Sequence, residues 1–82
     1  MNYARIDYHP HAQARMAARR IAPRQVARVL AAADRAYPGN QPGRLVAERD
    51  TAAGNTLRVV DVERDGGATA YVLTVIRIGG TA

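Results

Sequence analysis

Between His9 and Arg20 the chain reads HPHAQARMAARR, two histidines and three arginines in twelve positions. No other stretch is as dense in groups that move protons or hold anions. An imidazole exchanges protons near neutral pH. A guanidinium offers a flat fork of donors matched to phosphate or carboxylate. On an α-helix, every fourth residue is offset by only about 40°, so His11, Arg15 and Arg19 line one side, with Ala12 and Met16 beside them. The stripe reads either as the wet side of an amphipathic helix or as an anion site. Like charges at this spacing repel by a few tenths of a kcal/mol per pair, which a bound phosphate relieves. The H-P-H of His9 and His11 does not read as a metal site: residues two apart do not share a helix face, and there is no Cys to complete a ligand set.

A second group lies in the strand-like half. On a strand over 56–64, Arg58 and Arg64 share a face with Val60 and Val62, because side chains alternate with a period of two. On the last strand, 68–78, the same alternation puts Val72, Thr74, Ile76 and Ile78 on one side. Tyr71, Leu73, Val75 and Arg77 fall on the other. An arginine among apolar strand residues is costly to bury alone. It needs a salt bridge, with Asp61 or Glu63 the near carboxylates, a place at the sheet edge, or an anionic ligand.

The elements around these residues follow from punctuation and periodicity. YARID (3–7) reads as a short first strand or an extended arm. Pro10 and Pro23 each suit the first turn of a helix. The first helix ends near Arg20. In the second, over PRQVARVLAAADRA (23–36), Val26, Val29, Leu30 and Ala33 repeat as a core-facing stripe. YPGNQPG is a loop. GRLVAERD (43–50), TLRVVDVER (56–64) and ATAYVLTVIRI (68–78) read as strands, with DGG (65–67) a turn that accepts positive φ, and GGTA as a frayed tail. The expected fold is α+β: two N-terminal helices packed on a three- to four-stranded antiparallel sheet, its other face left to solvent or to a ligand.

The 82 residues fit one domain, 1–82. There is no Cys, so no disulfide framework is available. The first ten residues lack the apolar core of a secretory signal, and no apolar run approaches the ~20 residues of a membrane span. A cytoplasmic protein is expected. The net charge is +5, and all twelve basic side chains are Arg. Such a surface suits nucleic acid or an acidic protein. No Gly-rich phosphate loop follows a strand, and neither G-x-S-x-G nor a Cys–His pair is present. No cofactor is expected.

The run from His11 to Val26, H-A-Q-A-R-M-A-A-R-R-I-A-P-R-Q-V, resembles a bacterial domain family of unassigned function whose signature reads H-x-x-x-R-M-x-x-R-G-I-s-x-x-x-V. Leu57–Val60 and Leu73–Arg77 look like that family's two strand motifs, so the resemblance spans residues 9–78. The family is similar to the RelE/ParE and BrnT toxins of toxin–antitoxin systems. The resemblance implies a RelE/ParE-toxin-like fold, an RNA substrate, metal-independent endoribonuclease activity and an acidic antitoxin partner. His11, Arg15, Arg19, Arg58, Thr74 and Arg77 fall on matching positions. In that reading His11 is the base or acid, Arg15, Arg58 and Arg77 clamp the phosphate, and Arg19, Tyr71 and Thr74 contact the RNA, Tyr71 as a second proton-transfer or base-stacking group. Two positions depart from the pattern. Arg20 replaces a Gly suited to a left-handed helix end, and Ala22 replaces a capping Ser. The alternative function is a non-catalytic basic module that binds nucleic acid or protein. The ribonuclease reading requires the first helix and the final hairpin to bring His11, Arg15, Arg58 and Arg77 to one anion-sized pocket.

Overall fold

The computed structural model describes residues 3–79. The tail residues 80–82 lie outside it. The elements run β1 (Arg5–Tyr8), α1 (Pro10–Arg19), α2 (Pro23–Ala31), β2 (Arg35–Pro38), β3 (Arg44–Asp50), β4 (Asn55–Arg64) and β5 (Thr69–Gly79). The fold is α+β, with both helices on one face of a sheet. The sheet has five strands in the order β1-β5-β4-β3-β2, not three or four. It is mixed: β2 to β5 pair antiparallel, but β1 runs parallel to β5. α1 lies over β5 and β1, and α2 over β4 and β3.

Each helix starts where proline predicts. His9, in extended backbone, caps α1 by accepting the His11 N–H at Nδ1, with Pro10 at the first helical position. Ala22 has no side-chain cap to give to α2. Gln25 at the third helical position still reaches back and accepts the Ala22 N–H at 2.7 Å, which is half of a capping box. α1 ends with Arg20 in the left-handed region at φ 56°, ψ 45°. The Ile21 N–H bonds the Met16 carbonyl and the Arg20 N–H bonds that of Ala17. This is a Schellman ending, and the buried pair Ile21 and Met16 stands on either side of it.

The core is small and aliphatic. Ala12 and Met16 of α1 and Val26, Val29 and Leu30 of α2 pack onto Ala47, Leu57, Val59, Ala70, Val72 and Val75. Burying each such valine or leucine is worth roughly 1.5–3 kcal/mol. The helix pattern over 23–36 is cut short at Ala31, and residues 35–38 instead form edge strand β2. Its pairing with β3 is reinforced by Arg35 and Tyr37, which both donate to Glu48. Pro38 is tolerated at an edge, where a missing N–H leaves no inner ladder bond broken. The β4–β5 turn carries positive φ at Asp65, Gly66 and Gly67, as DGG predicts.

One irregularity decides the face taken by Tyr71. In the β4–β5 ladder Val60 pairs with Thr74 but Asp61 pairs with Val72, so Leu73 is the extra residue of a bulge. A bulge shifts the side-chain alternation by one. Tyr71 and Arg77, expected on one side of β5, therefore stand on opposite faces of the sheet.

Candidate functional site

Register assigns every sheet residue to a face. Arg77 pairs with Leu57, a core residue beneath the helices. Arg58 pairs with Glu48 and Ile76 on the open face, which also carries Thr74, Tyr71 and Arg64. The seven sequence-derived residues thus divide in two. His11, Arg15, Arg19 and Arg77 belong to the helical side; Arg58, Tyr71 and Thr74 belong to the opposite face. The single pocket holding His11, Arg15, Arg58 and Arg77 together is not formed, because the sheet itself separates Arg58 from the rest.

The open-face arginines are largely engaged. Arg58 Nε donates to Glu48 Oε2 at 2.7 Å, a cross-strand pair rather than the expected one with Asp61 or Glu63. Glu48 also accepts from Tyr37 and Arg35, and these donors, Tyr37 first, hold its carboxyl down at about 2. Arg35 grips Asp50 with two bonds, and Arg5 pairs with Asp7. Tyr71 is covered by Arg64, whose guanidinium carbon lies 3.8 Å from the ring centroid, while His9 meets the ring edge-on.

The helical side is different. The ion pairs among the described residues involve only Arg5, Arg35 and Arg58. Arg15, Arg19, Arg20, Arg24, Arg28, Arg49 and Arg77, all on the helices or the strand face beneath them, have no carboxylate partner among the described residues, and on the open face only Arg44 and Arg64 lack one. The sequence signal for this is plain once seen: from Tyr8 to Ala33 the chain has five arginines and no Asp or Glu. Reading His11 and its stripe alone missed the extent of that run, and with it Arg24, Arg28 and Arg49.

Within this layer, His11 and Arg15 touch. Arg15 Nε donates to His11 Nε2 at 3.1 Å, so a neutral imidazole carries its proton on Nδ1. Eight residues further along α1, Arg77 Nη1 donates to the Arg19 carbonyl at 3.1 Å, while Arg77 Nε is buried with no partner. At 1.5 Å per residue, His11 and the α1 end held by Arg77 are ~12 Å apart. One phosphate cannot touch both; an extended polyanion can.

Beneath the helical layer Asp61 is 1% exposed. Burial, with repulsion from Glu63, pushes its carboxyl up to about 6. The Tyr3 hydroxyl donates to Glu63 at 2.8 Å and lies 3.4 Å from Asp61. Among the described residues no three His, Asp or Glu are placed to hold a metal ion, and no helix is long and apolar enough to cross a membrane.

No family model matches the chain, and neither the curated proteins nor the solved structures contain a match.

Proposed function

We propose that this chain binds RNA along the basic layer of α1 and cleaves it without a metal, as a toxin-type endoribonuclease. The observation that carries the reading is the split in charge pairing. Of the five open-face arginines Arg5, Arg35 and Arg58 are bound to carboxylates and Arg44 and Arg64 are not; none of the arginines around His11 is, among the described residues. Unneutralised guanidinium groups along a helix are the electrostatic footprint of a nucleic-acid site.

The chemistry follows from the His11–Arg15 contact. An incoming phosphate competes for the Arg15 guanidinium, which swings from His11 Nε2 to the phosphate oxygens. The freed Nε2 lone pair takes the proton of the ribose 2′-hydroxyl. The 2′-oxygen bonds phosphorus, the bond to the 5′-oxygen breaks, and that oxygen takes a proton from water. Arg15 stabilises the charge developing on the phosphorus oxygens. Arg19 and Arg77 hold the strand about two helical turns away. Arg58 and Thr74, on the opposite face, have no part in this step.

The second reading is a non-catalytic RNA-binding module. It draws on the placement of Tyr71, the other proton-transfer candidate, on the far face from His11. One experiment separates the two. Purified protein is incubated with single-stranded RNA in excess chelator. Cleavage by the wild type and none by His11→Ala, with binding kept in both, supports the enzyme. Salt-sensitive binding with no cleavage at any pH supports the module. An acidic antitoxin would cover the same basic layer, and its co-expression would relieve growth arrest.

A further inference from the structure

A cavity of about 540 Å³ lies between α2 and the end of the β3–β4 hairpin, on the far side of Leu57 from Arg77 and away from His11. We propose that it binds a phosphate monoester of mononucleotide size. Arg24 and Arg28, four residues apart on one side of α2, form its rim together with Arg49 of β3. Arg49 is anchored there by its bond to the Ala32 carbonyl at 2.6 Å. None of the three has a carboxylate partner among the described residues. The one carboxylate on the wall, Asp50, is already spent: Arg35 holds it with two bonds and Thr56 with a third. The cavity therefore keeps three fixed positive charges in a concave space.

Size and lining choose among anions. A small-molecule site occupies about 300–1,000 Å³, so inorganic phosphate alone would leave this one mostly empty. A phosphate monoester brings up to two negative charges to three guanidinium forks, whose geometry suits its oxygens. Val29 and Leu57, both nearly buried, close the floor, and Ala52 and the aliphatic stems of Arg24 and Arg28 offer apolar surface to a ring. A single carboxylate brings one charge and no ring.

The test is a titration of the whole chain with adenosine 5′-monophosphate, followed by methyl and amide NMR, with adenosine and inorganic phosphate as separate arms. The expected result is saturable binding of the monophosphate with shifts at the Val29 and Leu57 methyls. Adenosine and phosphate should each bind at least about tenfold more weakly. Arg24→Gln with Arg28→Gln, both at exposed positions, should weaken the monophosphate about tenfold or more and keep the amide spectrum dispersed. No saturable shift, binding unchanged in the double variant, or equal binding of adenosine or phosphate would overturn the proposal. Because the double variant leaves His11, Arg15, Arg19 and Arg77 in place, RNA cleavage lost in His11→Ala with monophosphate binding retained bears only on the α1 site.

Discussion

Arg77 of the last strand donates to the main-chain carbonyl of Arg19 at 3.1 Å and so ties β5 to the C-terminal end of α1. A cation suits that end, where the helix dipole is negative. The same side chain buries its Nε with no acceptor. A hydrogen bond from a charged donor contributes about 1.5–3 kcal/mol, and a buried unsatisfied donor costs about 1–3. The two are of similar size and opposite sign, so the net contribution of Arg77 to stability is small.

Arg77→Met should therefore change the unfolding free energy by no more than about 1–2 kcal/mol in either direction. Its RNA affinity should fall. The salt dependence of single-strand binding should become shallower by about 0.7 in log–log slope, the loss of one phosphate contact. A variant that unfolds readily but binds RNA normally would make Arg77 a structural tie and nothing more.

His11→Ala removes the only proton acceptor placed on the α1 stripe. Cleavage should drop by at least about a hundredfold, the usual contribution of a positioned base. Arg15→Gln should do something different: it leaves His11 Nε2 free but takes away the charge on the phosphate, so cleavage falls and RNA binding falls with it. Single-turnover rates and filter-binding affinities on both variants would read this split. Equal rates for His11→Ala and wild type would remove the imidazole from the reaction.

Much of the architecture was legible in the sequence. Pro10 and Pro23 mark both helix starts, the Val26–Val29–Leu30 stripe marks the core face of α2, and DGG marks the last turn. Three features were not. β2 lies inside a helical pattern and is fixed by contacts between Arg35, Tyr37 and Glu48, thirteen or eleven residues apart in sequence. The parallel pairing of β1 with β5 joins Arg5 to Thr69, a relation no local pattern can carry. The bulge at Leu73 has no Gly to announce it, and a strict period of two grouped Tyr71 with Arg77, which the bulge puts on opposite faces. The stripe of His11, Arg15 and Arg19 was readable because it depends on helical geometry alone. Its supposed union with Arg58 failed because Arg58 pairs with Ile76 and Arg77 with Leu57, a one-residue offset in cross-strand register that puts the two arginines on opposite faces.

Arg20 holds the left-handed residue of the Schellman ending, where most chains place Gly. A side chain with a Cβ is strained there by about 1–2 kcal/mol, and the extra backbone freedom of Gly in the unfolded state takes back about 0.5–1. Arg20→Gly should stabilise the fold by about 1 kcal/mol. In a domain of this size that raises the melting temperature by roughly 4–8 °C. Calorimetry checks it, and a lower melting temperature would mean the Arg20 side chain makes a stabilising contact that outweighs the strain.

Asp61 gives the pH dependence its sign. Its carboxyl titrates near 6 in the fold, against 3.8 for an ordinary Asp, because burial opposes the charge. Between those values the folded chain binds more protons than the unfolded one, so stability falls as pH rises from about 4 to 6 and stays lower above. The shift corresponds to on the order of 3 kcal/mol. Glu48 acts in the opposite sense. Its carboxyl is held at about 2 by Tyr37, Arg35 and Arg58, so its contribution is lost as pH falls from about 4.5 toward 2. Stability should peak between about pH 4 and 5, below the range usual for globular proteins. Asp61→Asn should keep the acid limb set by Glu48 and abolish the decline between pH 4 and 6, which urea midpoints measured across that range would show. If the decline persisted in Asp61→Asn, the proton taken up on folding would belong to another group.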